Sequence, residues 1–177
     1  IWQGGGAPLV NDLDVQYLQQ AKYLHVPGVS GVFAEAMKIV REAGGKVVID
    51  ADRYDPAILD GLAMIDVFIA SEFFFDRVAQ GRDVETCCRE IQKKGPQIVI
   101  FTFGAKGCAG IGMDGVFFSE PAFDVPVVDT TGAGDVFHGG FIYGLLQGWD
   151  ARRCAEWGNA VSAIKITRLG GRAGIPD

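Results

Sequence analysis

Between Tyr23 and Phe103 the sequence alternates short apolar runs with segments of helical spacing, and this alternation constrains the fold more than any other feature. The runs are Tyr23 to Val26, closed by Pro27-Gly28; Lys46 to Asp50; Val67 to Ala70; and Gln97 to Phe103, bounded by Gly95-Pro96 and Gly104. Each is a buried strand of about five residues by length and composition. Between them, Phe33 to Ala43 carries Phe33, Ala36, Met37 and Val40 on one helical face and stops at Gly44-Gly45, a C-terminal signal. Pro56 to Met64 reads as a short helix and Asp83 to Lys94 as another, while Asp14 to Lys22 is a polar-apolar lead-in. Strands separated by helices form right-handed βαβ units, hence a parallel sheet covered on both faces.

After Phe103 the pattern changes. Cys108 to Gly112 and Val116 to Ser119 flank Met113-Asp114-Gly115, a hairpin signal. The stretch Gly110-Ile-Gly112-Met-Asp-Gly115 also satisfies GxGxxG, but the dinucleotide fingerprint needs a helix after its glycines and a strand follows here. Phe123 to Val128 reads as a further extended stretch, and Gly134 to Gln147 and Ala151 to Thr167 as two helices before a glycine-rich tail. Gly140, Gly144 and Gly148 form a small-residue stripe, which indicates close packing of the first of these helices on a neighbour. Phe73-Phe74-Phe75 reads as an aromatic cluster opening a helix in the core.

Composition narrows the partners. The 177 residues suit one domain and carry a net charge of −6 with no basic cluster, which argues against nucleic acid and anionic membranes. An anionic small molecule is compatible, because main-chain NH groups hold anions without a basic surface. The four cysteines (Cys87, Cys88, Cys108, Cys154) form no CxxC pair, and His25 and His138 lie alone, so neither a disulfide framework nor a structural zinc site is expected. His138 reads as helix packing and His25 as a strand end with no partner in sequence. The longest mostly apolar stretch, Val136 to Trp149, falls short of the about 20 residues that span a bilayer. A reduced, cytoplasmic protein is the expectation.

The chemistry concentrates in Val128-Asp-Thr-Thr-Gly-Ala-Gly-Asp-Val-Phe-His-Gly-Gly-Phe141. Two glycines bracket an alanine where an extended segment becomes a helix. The first-turn amides of a helix lack partners and its dipole is positive there, so an anion is stabilised. Gly132 and Gly134 let a phosphate approach the backbone. Asp135 sets a carboxylate beside that anion, where it can take the proton of an attacking hydroxyl.

These residues also carry a resemblance. Asp129 to Asp135, with Phe137, Gly139-Gly140 and Phe141, resembles the second signature of the ribokinase-like (PfkB-type) carbohydrate kinases. Thr102-Phe-Gly-Ala-Lys-Gly107 is similar to that family's Thr-x-Gly-x-x-Gly phosphate segment. Asn159 and Thr167-Arg168-Leu-Gly170-Gly171 resemble its adenine-pocket and cation-loop region. The resemblance runs from Tyr23 onward and corresponds to the later part of a family member. It implies a three-layer αβα fold with a mainly parallel sheet, and residues 1–177 as a partial kinase domain. By position, Asp135 becomes the catalytic base, and the amides of Gly132, Ala133 and Gly134 the anion hole. Thr102, Gly104 and Gly107 meet the nucleotide phosphates, and Asn159 and Gly171 belong to the adenine region. Asp129 and Thr131 are the residues for a potassium-like ion that orders the loop.

The implied activity is ATP-dependent phosphorylation of a hydroxyl on a small sugar, with Mg²⁺ on the phosphates and a homodimer left open. Two departures stand out. Where the family has Asn-x-x-Glu, this chain has Ser71-Glu72-Phe73-Phe74, so Glu72 is the carboxylate left to hold Mg²⁺ through water. Asp50-Ala-Asp52-Arg53 only partly matches an Asp-x-Asn-x-Arg segment. The family's early region, which supplies sugar contacts and a lid, has no counterpart, and Ile1 stands where an initiating Met would, so the sequence reads as the later part of a longer chain. A non-catalytic nucleotide-binding relative and a nucleoside or vitamin kinase are the competing readings.

Overall fold

A computed structural model describes residues 9–176, and each of the four apolar runs is a strand in it. These are β1 (Tyr23–Val26), β2 (Lys46–Ala51), β3 (Val67–Ser71) and β4 (Ile98–Thr102), paired in parallel and in sequence order. Antiparallel β5 (Cys108–Ile111) and β6 (Phe117–Glu120) complete a six-stranded sheet. The turn between β5 and β6 is tight: Gly112 N–H donates to Val116 O, Asp114 Oδ1 accepts from Val116 N–H, and Gly115 sits at φ 74°. A strand therefore follows the GxGxxG glycines, as the hairpin reading requires.

The helices are α1 (Val15–Leu18), α2 (Val32–Glu42), α3 (Pro56–Asp60), α4 (Glu72–Ala79), α5 (Val84–Gln92), α6 (Ala133–Leu146) and α7 (Ala151–Ile166). Because β1 to β4 advance in one direction and crossovers share one hand, the connecting helices all land on one face of the sheet. Val47, Ile49, Ala51, Phe68, Ala70, Val99 and Phe101 pack there against Met37 of α2, Ile58 of α3, Phe74 of α4 and Cys88 and Ile91 of α5. The alternate residues Val48, Val67, Ile69, Ile98 and Ile100 face the other way, onto Phe137 and Phe141 of α6 and Cys154 and Ala155 of α7. The three layers follow, and burial on both faces explains why the strands are continuous apolar runs rather than alternating ones.

Helix starts are locally encoded. Asp55 accepts from Ala57 N–H ahead of Pro56, Asp83 from Thr86 N–H, Asp150 from Arg153 N–H, and Ser71 from Phe74 N–H. The expected helix from Pro56 to Met64 is interrupted at Gly61, where a Cβ would meet Val29 at 3.1 Å and Ala57 O at 3.3 Å; a 3₁₀ turn, Leu62–Met64, follows. Phe123 to Val128 is not a strand. Pro126 offers no ladder donor, and Val128 N–H is taken by Ile166 O at the end of α7. In α4, Phe74 lies between Tyr54 and Phe68, and Phe75 against Phe101 and Phe103, but Phe73 is 74% exposed. The helical period thus buries Phe74, half-buries Phe75 and turns Phe73 outward. Among the described residues no helix is long and apolar enough to cross a membrane, and all four cysteines are buried and unpaired.

The glycine stripe of α6 meets α7. A Cβ on Gly140 would lie 2.5 Å from Val161 Cγ2 and 3.3 Å from Gly158 Cα, whereas one on neighbouring Gly139 would meet nothing. Two substitutions one residue apart therefore act in opposite directions. Gly139→Ala, gaining helix propensity on an open face, raises stability by about 0.5–1 kcal/mol. Gly140→Ala lowers it by about 1–3 kcal/mol through forced separation of the helices. Urea denaturation of the two variants measures both.

Candidate active site

The loop before α6 is pinned from three sides. Val128 and Asp129 N–H both donate to Ile166 O at the end of α7. The Asp129 carboxylate accepts from Thr131 N–H at 2.9 Å through one oxygen and from Gly170 N–H at 2.7 Å through the other. Lys165, fully buried, donates its Nζ to Asp129 O at 2.9 Å. The Thr131 donors, followed by the Gly170 amide, hold the Asp129 carboxyl down to about 2.

Asp129 thus ties the loop to the tail through both of its oxygens. Gly132 then turns at φ 79° with Gly171 O against it; a Cβ there would lie 3.2 Å from that oxygen. A glycine is needed at this point for both reasons.

Helix α6 opens directly from this turn. Ala133 N–H is bonded to Thr130 O, so of the three amides expected to form the anion hole this one is turned inward. Among the described residues no main-chain acceptor holds the amides of Gly132, Gly134 or Asp135. Asp135 follows in the first turn and is exposed.

The other wall comes from the end of β4. Phe103 N–H donates to Gly107 O, and Gly104 and Gly107 both take positive φ, 55° and 89°. A Cβ on Gly107 would lie 2.1 Å from Glu120 O, so only glycine lets the loop lie against β6. Between the walls lies a cleft of about 520 Å³. Thr102, Gly104, Gly107, Ala133, Gly134 and Asn159 all line it, with Ala122 to Val125 and Val127 along one side and Phe137, Ser162 and Ile166 along another.

Not every expected site residue lines the cleft: Gly132 and Asp135 stand beside its Ala133–Gly134 wall rather than in it. Asn159 is buried at its edge, its amide donating to Glu120 O at 3.3 Å and Pro121 O at 3.1 Å. Gly171 backs the Gly132 turn rather than lining the cleft. Asp129 and Thr131 sit behind the turn. The Glu72 carboxylate, at the start of α4, is bonded to Lys106 Nζ at 2.9 Å, which joins it to the phosphate-type turn. A smaller depression of about 160 Å³ near Tyr54, Arg77 and Glu90 contains none of these residues.

One cluster lay outside the sequence reading. His25 Nε2 of β1 lies 3.1 Å from His138 Nδ1 of α6, and His138 Nε2 lies 3.4 Å from Asp50 Oδ1 of β2. The two histidines stand 113 positions apart, so no local signal joins them; His138 is buried on α6 and His25 lies in β1, as expected, but they also meet each other. The only cue was the three-residue spacing from Asp135 to His138, one helical turn. Burial lowers the His138 pKa to about 3 and raises that of Asp50 to about 6, the charges of Asp52 and Asp135 adding to the latter. His25 is lowered by burial and partly restored by Asp135.

Residues 3–177 match the sequence profile of the pfkB family carbohydrate kinases. This chain belongs to that family. It is 31% identical over 179 residues to a 5-dehydro-2-deoxygluconokinase of Geobacillus kaustophilus (strain HTA426), covering 89% of this chain and 53% of that protein. To a ribokinase of Haemophilus influenzae it is 30% identical over 146 residues, covering 80% and 47%. The chain thus spans about half the length of these curated pfkB relatives. In structure it resembles a candidate ribokinase II from E. coli solved with ATP and Mg²⁺, with TM-score 0.85, 24% identity, and 95% of this chain and 59% of that one covered. It also resembles the ribokinase of Thermotoga maritima, with TM-score 0.75, 25% identity, and coverage of 94% and 57%. The ribokinase-like fold expected from the signature is the one observed.

The Asp129 bridge has a pH signature. Its folded pKa lies below the ordinary carboxylate value, so its contribution is fully present above about pH 4 and is lost as pH falls through about 2. Asp129→Asn should therefore lower the thermal midpoint at pH 7, and the gap to the unsubstituted protein should shrink between pH 4 and pH 2. Scanning calorimetry across that range tests the bridge.

Proposed function

We propose that this chain is the nucleotide-binding and catalytic portion of an ATP-dependent kinase acting on a hydroxyl of a small sugar or sugar-like molecule. One observation supports this above the rest. The unpaired amides of Gly132 and Gly134 open one helix turn whose next side chain is the exposed carboxylate of Asp135, at the edge of a cleft lined by the Thr102–Gly107 loop.

In this reading the nucleotide lies in the cleft. The loops of Thr102, Gly104 and Gly107 bear on its phosphates, and the Gly132 and Gly134 amides, helped by the α6 dipole, hold the γ-phosphoryl where charge develops. Asp135 accepts the proton of the acceptor hydroxyl as it attacks in line. Phe137 and Ile166 give the cleft an apolar lining against which an adenine ring packs.

Mg²⁺, when bound with the nucleotide, neutralises phosphate charge. Glu72 is the carboxylate at hand for it, and it would have to exchange its bond to Lys106 Nζ for a metal-bound water. A monovalent ion at Asp129 and Thr131 fits less well. Both Asp129 oxygens already accept amides and the buried Lys165 ammonium lies on its carbonyl, so these residues order the loop themselves.

The decisive variant is Asp135→Asn in the full-length protein. Its kcat should fall by about 10²–10⁴-fold or more while ATP affinity stays within a few-fold. Release of ADP with a panel of sugars, nucleosides and vitamin alcohols identifies the acceptor. A variant with near-full kcat removes Asp135 as the base. ATP binding without turnover on any acceptor points to the non-catalytic relative.

A further inference from the structure

The cluster of His25, Asp50 and His138 has no task in the reaction described above. It is the one group of three or more histidine, cysteine or acidic side chains among the described residues whose ligand atoms converge, all within 4.8 Å of one another. We propose that it is a binding site for a divalent transition-metal ion of the zinc type, held by His25 Nε2 and His138 Nδ1, with Asp50 orienting His138 from behind.

Three observations support this. First, two nitrogens each about 2.0–2.1 Å from one ion, at an angle near 100°, are about 3.1 Å apart, and the observed separation is 3.1 Å. The ring centres are only 4.8 Å apart with an interplanar angle of 48°, so the rings lean together rather than meeting head-on or stacking. Second, Asp50 Oδ1 sits 3.4 Å from the other nitrogen of His138, the carboxylate–histidine–metal arrangement that fixes a ligating ring's tautomer. Third, the surroundings favour a cation. The carboxylates of Asp52 and Asp135 both act on Asp50, and no lysine or arginine forms an ion pair with Asp50 among the described residues.

Binding requires no net proton release at neutral pH, because both imidazoles are neutral there. The only shift is the His25 proton moving from Nε2 to Nδ1. Nitrogen donors select zinc, cobalt or nickel over magnesium, so this site is distinct from any nucleotide-bound Mg²⁺. Its remaining coordination positions go to water.

An ion there would place positive charge beside the base and hinder it. That consequence rests on the kinase reading, whereas the site itself does not, so the test reads metal binding and not turnover. The probe is Zn²⁺ at tens of micromolar added to the full-length protein. Its thermal midpoint should rise by at least about 3 °C, reversibly with EDTA. Co²⁺ added instead should give visible ligand-field absorption.

His25→Gln and His138→Gln should each abolish the rise and the absorption. Asp50→Asn should require about 10–100-fold more metal for the same rise. His138 is buried and its variant can fail to fold; His25 is exposed on its strand, so that variant decides alone. No EDTA-reversible rise in the unsubstituted protein, or the same rise and spectrum persisting in His25→Gln, overturns the proposal.

Discussion

The structure depends on a sheet that the crossovers can cover on one side only. Parallel strands laid down in sequence order, with connections of one hand, put α2 to α5 together on a single face and leave Val48, Ile69 and Ile100 bare on the other. That second face is too apolar to stand in water, and α6 and α7 are the elements that bury it. Helix α6 can dock only with its first turn near the carboxyl ends of β1 and β2, where His138 meets His25 and Asp50. Open α/β sheets bind ligands at this end. Hydrophobic closure of the back of the sheet and placement of Asp135 are one event.

The fine geometry of the site depends on polar contacts that close over long sequence separations. Asp129 spans from the Thr131 amide to Gly170, Lys165 reaches back to Asp129 O, and Asn159 holds the end of β6 through Glu120 O and Pro121 O. The bonds from Gly170 and Lys165 to Asp129 join the end of α7 and the tail to a loop that must present bare amides. A loop of this kind has little of its own to hold it, since its NH groups are kept unpaired for a ligand. Its order is imported from the tail behind it, and the buried lysine is held there by two favourable terms: it bonds Asp129 O, and it sits in the last turn of α7, where the helix dipole is negative.

Much of this was legible before any coordinates. The four parallel strands, the hairpin at Asp114-Gly115, the close approach at Gly140 and Gly144, and the anion-binding turn at Gly132 to Asp135 all carry local signals: apolar runs, glycines, turn residues, capping carboxylates. The break at Gly61 has only the glycine itself as a local signal, and Val29 of another loop lies where a Cβ would stand. Phe123 to Val128 looked extended and is, but it runs beside α7 instead of joining the sheet. The inward turn of Ala133 N–H and the pairing of Glu72 with Lys106 likewise involve partners that no spacing announces.

Sequence alone settled the layer architecture, the hand of its connections and the chemical character of the helix start at Ala133, because these follow from periodicity and from what individual residues permit their own backbone. Tertiary structure alone decided which side chains face one another across that start. His25 and His138 each looked like an isolated packing residue, and only the docking of α6 over β1 and β2 made them neighbours. Contacts between remote segments depend on how two faces close, and that information is spread over the whole apolar surface of the sheet rather than written in any one stretch of the chain.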